Sequence, residues 1–190
     1  MAVEEPKYSF VTKDGAFEVR DYPGLVVAEV KVGGDRRSAS SAGFRLLAGY
    51  IFGGNAGKKS IAMTAPVTQA APKGSKIAMT APVSLSGEPG EWMVQFTMPS
   101  EYTMDDLPVP NDQRVKLKPV PPVRMAVLTF SGLTGDTVVA HRTNDLLAQL
   151  RERKLTPTGS PTLARYDPPW TPWFMRRNEV MIPIADVAGF

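Results

Sequence analysis

Short runs of alternating apolar and polar residues open the chain and predict β-strands. Tyr8 to Val11, Phe17 to Tyr22 and Leu25 to Val32 are rich in β-branched and aromatic residues. Asp14-Gly15 and Pro23-Gly24 separate these runs, and both dipeptides are typical of turns. The pattern therefore predicts successive strands that are joined by short connections.

The period changes to that of a helix after Asp35, which we predict to be the N-cap of a helix from Arg36 to about Phe52. Gly53-Gly54-Asn55 would end this helix, because glycine tolerates the left-handed cap conformation. One apolar stripe faces the core and comprises Ala39, Gly43, Leu46, Leu47 and Tyr50. A second stripe, formed by Phe44, Ala48 and Ile51, predicts burial under a connecting segment or contact with a flat apolar ligand.

A second helix is predicted from about Thr137 to Arg153, with Asp136 as its cap. The lone histidine, His141, lies nearly opposite the apolar face of this helix, where a solvent-exposed side chain is expected. That apolar face comprises Val139, Thr143, Leu146, Leu147 and Leu150. Further strands are predicted at Trp92 to Met98, Arg114 to Lys118, Arg124 to Phe130, Thr162 to Tyr166 and Glu179 to Ile184.

The segment Ile61 to Val67 (IAMTAPV) recurs as Ile77 to Val83, and each copy alternates like a strand. The proline in each copy marks a sheet edge or a bulge. A strand, a helix and further strands occur in this order twice, on either side of a proline-rich connector at about 99–122. We therefore expect a single α+β domain over 1–190, in which half-repeats at about 24–98 and 124–184 form a curved antiparallel sheet or distorted barrel that carries both helices.

The composition excludes several kinds of chemistry. The chain has no cysteine and one histidine, which excludes disulfides, thiolate catalysis, iron–sulfur clusters and zinc sites with more than one histidine. The net charge of +3 arises from basic pairs that are scattered along the chain, as at Arg36-Arg37 and Lys58-Lys59. A nucleic-acid-binding protein would carry a basic stripe interleaved with aromatic residues, and no such stripe is present, so we expect no nucleic-acid partner.

The chain lacks an apolar run of the roughly 20 residues that a membrane span requires. Met1 to Lys7 is short and acidic, and it does not resemble a signal peptide. We therefore expect a cytoplasmic protein, unless a leader preceded this sequence, and a monomer or weak oligomer.

The sequence contains, in order, YIFGGN at 50–55, the IAMTAPV segments, FTMPS at 96–100, YDPPW at 166–170 and RRNEV at 176–180. With these blocks the chain resembles the SOUL haem-binding family over about Pro6 to Pro183. The resemblance implies a distorted antiparallel β-barrel with two helices, built from two pseudo-symmetric half-domains. It also implies non-covalent binding of haem b or another porphyrin, in haem buffering, transport or sensing.

The proposed pocket of relatives lies between the first helix and the loop before the RRNEV-like strand. In this chain the helix wall would comprise Phe44, Leu47, Ala48 and Ile51, and the loop wall Trp170, Trp173 and Phe174. Aromatic rings stack well on a porphyrin plate. The chain departs from relatives at Thr171, where they have a lysine, and at Ser41 or Ala42, where they have a helix arginine.

A porphyrin also carries carboxylates, which require cations at the rim of the pocket. Arg45, Lys58, Lys59 and Arg176 are the candidates. If iron takes a protein ligand, the available donors include His141 and methionines such as Met63, although a methionine in an alternating strand is usually core filler.

Two other functions stay open at this point. The same duplicated architecture occurs in gyrase-inhibitor-like small-molecule-binding proteins, some of which are enzymes, and a hydrolase of that kind would use Glu179 as general base and Tyr166 to polarise the substrate. In a structural role, Glu179 would instead form an ion pair with Arg177 near a strand start. The third function is a protein-interaction module that docks a partner on the exposed apolar side chains.

Overall fold

The computed structural model describes residues 4–70, 90–168 and 170–186, which form an antiparallel sheet and two helices. In chain order the elements are β1 Ser9–Asp14, β2 Phe17–Tyr22, β3 Leu25–Val32, α1 Arg36–Ile51, β4 Val67–Ala70, β5 Trp92–Thr97, β6 Lys116–Val120, β7 Val123–Ser131, α2 Asp136–Glu152, β8 Thr162–Arg165, a 3₁₀ turn Trp173–Met175, and β9 Arg177–Pro183. The α+β class predicted from the sequence is confirmed.

The nine strands form one sheet in the order β1-β2-β7-β9-β8-β4-β5-β3-β6, and every neighbouring pair is antiparallel. This order begins at β1 and ends at β6, so within the described ranges the sheet is open and is not the closed barrel that the resemblance implied. The short strands β4 and β8 pair at the centre, from Val67 opposite Arg165 to Ala70 opposite Thr162. They join a first group of strands, β6-β3-β5-β4, to a second, β8-β9-β7-β2-β1.

Both helices cover the same face of this sheet. On β8, Leu163 packs in the core cluster that includes Leu146 and Leu150 of α2, whereas Arg165 reaches Ser40 on α1. Because side chains two positions apart on a strand share a face, α1 and α2 lie side by side on one surface. We call this surface the helix face and the other surface the open face.

The first helix forms as its sequence predicts. The Asp35 side chain accepts hydrogen bonds from the backbone N–H groups of Arg37 and Ser38, so the predicted N-cap is confirmed. The helix ends at Ile51, and Gly53 then takes a φ of 109°, which favours glycine. The predicted core stripe is buried at Ala39, Gly43, Leu47 and Tyr50, while Leu46 is partly buried.

Three local predictions need correction. Asp136 is the first residue of α2 and not its cap: the N-cap is Gly135, and the Asp136 carboxylate accepts from Arg36 Nε at 2.5 Å instead. The strand predicted from Arg114 begins at Lys116, because Asp112 holds the preceding turn through the N–H groups of Arg114 and Val115.

The first IAMTAPV segment is also mostly not a strand. Only its last residue, Val67, belongs to β4, and the peptide bond between Ala65 and Pro66 is cis. The Ile61 N–H donates to the Ile51 carbonyl at 2.7 Å, which ties the segment to the end of α1. The second copy, at 77–83, lies outside the described residues.

Candidate functional site

The segment 170–176, which precedes β9, exposes an unusual set of large apolar side chains; we call it the closing segment. The exposed fraction is 83% for Trp170, 59% for Trp173, 60% for Phe174 and 63% for Met175. The rings of Trp173 and Phe174 meet edge to face, with centroids 5.7 Å apart. Soluble surfaces rarely leave so many large apolar side chains together unless something binds them.

On α1, the four predicted helix residues are buried to different extents. Phe44 is exposed in part, and its ring meets the buried ring of Phe96 with centroids 5.4 Å apart. Ala48 is partly buried, whereas Leu47 and Ile51 lie fully in the core beneath the helix. Met63 packs against the same core cluster, which agrees with its interpretation as core filler. Phe44 and Ala48 therefore supply what α1 offers to a surface ligand.

A series of contacts connects α1 to the closing segment. Arg165 at the end of β8 donates to the Ser40 hydroxyl on α1, and in the sheet it lies opposite Asn178. Asn178 Nδ2 donates to the Gly132 carbonyl at 3.0 Å. A Cβ on Gly132 would lie 4.0 Å from the Trp173 ring, so this indole packs directly over the loop after β7. These contacts run from the first turns of α1, through β8 and β9, to the Trp173 indole.

The predicted rim cations occupy separate positions. Arg45 is exposed on α1, and Lys58 and Lys59 are exposed in the loop that follows it. Arg176 is partly buried, and its Nε donates to the Thr171 carbonyl at 2.8 Å, so it braces the closing segment.

His141 is on the solvent side of α2. Its side chain is 73% exposed, and Nδ1 lies 3.2 Å from the Asp145 carboxylate one turn later. No group of three or more His, Asp or Glu side chains within the described ranges is placed to bind a metal ion.

On the open face, a charged cluster is buried in the second group of strands. Glu179 is 0% and Arg20 is 2% exposed. Arg20 Nη1 and Nη2 donate to the two Glu179 oxygens at 3.0 and 2.9 Å, and Arg20 Nε donates to Glu18 at 2.6 Å. The Tyr166 hydroxyl donates to Glu179 Oε2, and Arg177 Nε lies 3.5 Å from Glu179 Oε1. The predicted ion pair between Arg177 and Glu179 exists, with Arg20 as the stronger partner.

This arrangement does not suit a general base. The bidentate pair with Arg20 occupies Glu179 lone pairs that would otherwise accept a substrate proton. Burial, and then the Glu179 charge, raise the pKa of Tyr166, so its hydroxyl stays protonated. Burial also raises the pKa of the neighbouring Tyr22 to about 12. The cluster is therefore built to hold strands together.

Two cavities accompany these features, and neither is large. One, about 140 Å³, is a cleft on the open face lined by Tyr8, Tyr22, Val27, Thr68, Thr97, Met125, Tyr166 and Met181 among others. The other, about 280 Å³, is lined by Val11, Thr12, Phe17, Val19, Arg124, Arg153, Leu155 and Ile184. Pockets for drug-sized ligands usually measure about 300–1,000 Å³, so a tetrapyrrole needs a more open site than either cavity.

Comparison with known families decides what this chain is related to. The family described as "SOUL heme-binding protein" matches residues 3–74 and 68–183, which together cover most of the chain. The chain belongs to the SOUL heme-binding protein family. The resemblance noted in the sequence is thereby confirmed. No curated protein matches the chain.

Solved structures show where else this fold occurs. The C-terminal domain of EcmrR is 12% identical with a TM-score of 0.66, and the match covers 95% of this chain and 99% of that domain. A hydrolase from Listeria innocua is also 12% identical, with a TM-score of 0.58 and coverage of 92% and 94%. At such identities the likeness shows the fold alone.

The residues of this SOUL family member can be tested against the ligand that the family name implies. Trp173 and Phe174 offer exposed aromatic rings, and the ring of Phe44 is partly exposed on α1. This combination suits a flat apolar plate.

Within the described ranges, no helix is long and apolar enough to cross a membrane.

Sequence reasoning missed Arg20 and Arg165 as residues of interest. Arg165 follows Leu163 at a strand spacing of two, so the alternation already assigned a charged residue to the core-facing side. That signal was available. The partner of Arg20 was not, because Glu179 is 159 positions away in the chain.

Proposed function

We propose that this chain binds a tetrapyrrole non-covalently on the helix face, between α1 and the closing segment. The observation that carries the proposal is the exposure of Trp170, Trp173, Phe174 and Met175 in one short segment. Covering such side chains with a porphyrin contributes roughly 25 cal/mol for each Å² of apolar area removed from water. Phe44 and Ala48 would contact the plate from the helix side.

The proposed ligand is haem b or a related porphyrin, and the proposed role is buffering, transport or sensing. Membership of the SOUL family supports the ligand class. The ion pair between Glu179 and Arg20 weighs against the hydrolase alternative, because Arg20 occupies both oxygens of the proposed general base. In the same proposal, Arg45, Lys58, Lys59 and Arg176 remain rim candidates for the ligand carboxylates.

The proposed architecture is one domain over 1–190, made of two pseudo-symmetric halves at 24–98 and 124–184. The strand order supports this part of the proposal. In each half a helix follows the first strand: α1 lies between β3 and β4 in the chain, and α2 lies between β7 and β8. The order in the sheet is β3-β5-β4 in the first half and β7-β9-β8 in the second. The distorted barrel would require further closure between β1 and β6.

The test is a titration of the apo protein with hemin, followed at the Soret band. We expect a saturable shift at one equivalent, with affinity reduced about tenfold (~1.4 kcal/mol) in Trp173→Ala, because an aromatic face is lost. Phe10→Ala is the matched control, since Phe10 is an exposed aromatic residue on the distant edge strand β1. An unsaturable response, or equal affinity in Trp173→Ala, contradicts the proposed site.

The same titration on His141→Ala tests iron ligation. Because this side chain faces solvent on α2, we expect an unchanged Soret position and an affinity within about twofold of wild type. A changed band would show instead that the His141 imidazole reaches the iron. Self-association or capture of a partner through the closing segment, with no hemin response, would favour the interaction module.

A further inference from the structure

Arg165 is a partly buried cation for which the described residues supply no anionic partner. It ends β8 and lies partly buried on the helix face, where its Nη2 donates to the Ser40 hydroxyl of α1. Among the described residues, no carboxylate lies within ion-pair distance of its guanidinium. A neutral hydroxyl satisfies one donor and leaves the charge uncompensated.

Several other arginines of this protein form an ion pair with a carboxylate. Carboxylates pair with the arginines in Arg20–Glu179, Arg36–Asp136, Arg124–Asp21, Arg153–Asp14 and Arg177–Glu5. Removing a charge from water is costly unless an opposite charge or several hydrogen bonds compensate for it. The positive charge of Arg165 is therefore not compensated by a carboxylate among the described residues.

A second cation, Arg36, adds to the positive potential around Arg165. Arg36 Nη2 donates to the Thr134 carbonyl, and Arg36 Nε pairs with Asp136, whose side chain is 80% exposed. Burial, and then the positive charge of Arg36, lower the pKa of Arg165. An arginine remains protonated at neutral pH even so, so the place between α1 and β8 stays positive.

The position of this charge matches the proposed ligand site. Ser40 is one helical turn before Phe44 on α1. Asn178, the neighbour of Arg165 across the sheet, holds the Gly132 carbonyl over which Trp173 packs. The cation thus lies between the helix wall and the closing segment.

We propose that Arg165, with Ser40 and Arg36 beside it, is the anion subsite of this pocket and binds a carboxylate at the edge of the tetrapyrrole. This inference rests on the proposed function. A guanidinium can hold a carboxylate through two parallel hydrogen bonds, and Ser40 would then be free to donate its own proton to the same group. A free phosphate has the same oxyanion chemistry, so the experiment has to separate the two sources.

The experiment compares protoporphyrin IX with its dimethyl ester, which lacks free carboxylates. Binding is followed by quenching of tryptophan fluorescence in the wild type, Arg165→Gln and Arg165→Lys. We expect the wild type to prefer the free acid by roughly tenfold, the magnitude of one charge-assisted hydrogen bond. Arg165→Gln should lose this preference and keep its affinity for the ester, and Arg165→Lys should keep part of it, because a lysine retains the charge without the planar fork.

Arg151→Gln is the charge-matched control, because Arg151 is exposed in the last turn of α2. It should retain the full preference. Thermal melts establish that each variant is folded, and Arg165→Gln should be at least as stable as the wild type, because it removes a repulsive neighbour of Arg36.

The outcomes separate the two proposals. Saturable binding without a preference for the free acid, or a preference that survives in Arg165→Gln, overturns the anion subsite and leaves tetrapyrrole binding standing. No saturable binding of either compound overturns both. A melting temperature that rises with inorganic phosphate only when Arg165 is present, without acid preference, assigns the cation to a free anion and overturns its role toward the tetrapyrrole.

Discussion

At the scale of single residues, charges on the two faces of the sheet are compensated to different extents. Glu179 and Arg20 satisfy each other on the open face, where Tyr166 and Glu18 complete their hydrogen bonds. Among the described residues, the hydrogen-bond partner of Arg165 on the helix face is the Ser40 hydroxyl. A satisfied buried pair holds structure, whereas an unsatisfied cation is available to a ligand.

Removing the Glu179 charge should destabilise the protein without abolishing a catalytic function. In Glu179→Gln, Arg20 stays buried and keeps Glu18 as its charged partner among the described residues. We therefore expect the free energy of unfolding to fall by about 3 kcal/mol, the low end for a broken buried pair. Urea denaturation measures this change. Glu91→Gln is the control, because the Glu91 pair with Lys31 is exposed on both sides and should contribute less than about 1 kcal/mol.

Wild-type stability in Glu179→Gln would contradict a structural role for the cluster. A test electrophile that the wild type hydrolyses and Glu179→Gln does not would restore the hydrolase interpretation.

At the scale of elements, the helices were predictable because their signals are local. Asp35 lies beside the N–H groups that it caps, and the face of α2 with Val139, Thr143, Leu146, Leu147 and Leu150 is buried as its spacing predicts. Asp136 was mistaken for a cap because sequence cannot show that Arg36, 100 positions earlier, takes its carboxylate. The start of β6 shifted for a similar reason, since Asp112 holds the turn before it.

The packing of α1 on β5 depends on a glycine whose role the sequence does not reveal. A Cβ at Gly43 would lie 2.6 Å from a methyl group of Val94, which is fully buried and stiff. A Cβ at Gly49, on the exposed side of the same helix, would meet nothing within 4 Å.

We therefore expect opposite effects from the same substitution on one helix. Gly43→Ala should destabilise the protein by about 1–3 kcal/mol through overpacking. Gly49→Ala should stabilise it by about 0.5–1 kcal/mol through helix propensity. Thermal or urea unfolding of the two variants measures both effects, and stabilisation by Gly43→Ala would show that α1 does not approach β5 this closely.

At the scale of the whole molecule, the sequence predicts the strand content and the helix order but not how the sheet is assembled. The pairing of β4 with β8 joins residues almost a hundred positions apart, and no local pattern specifies it. The candidate site could likewise be predicted only in part from the sequence. The exposure of Trp173 and Phe174 agrees with a ligand wall on the closing segment, whereas the burial of Leu47 and Ile51 and the place of Arg165 required the fold.

The two faces of the sheet give the last prediction. The cleft on the open face measures about 140 Å³ and lies across the sheet from α1, so we expect a ligand held by Trp173 to stay outside it. Thr97→Phe should fill this cleft, with a stability cost of about 1–3 kcal/mol, and leave the affinity for protoporphyrin IX within about twofold of wild type. Fluorescence titration of Thr97→Phe beside Trp173→Ala measures this, once thermal melts show that both are folded. The reverse result, with binding lost in Thr97→Phe and kept in Trp173→Ala, would place the ligand in the open-face cleft. Because a tetrapyrrole exceeds the present volume of this cleft, the two groups of strands that β4 and β8 join would then have to separate to admit it.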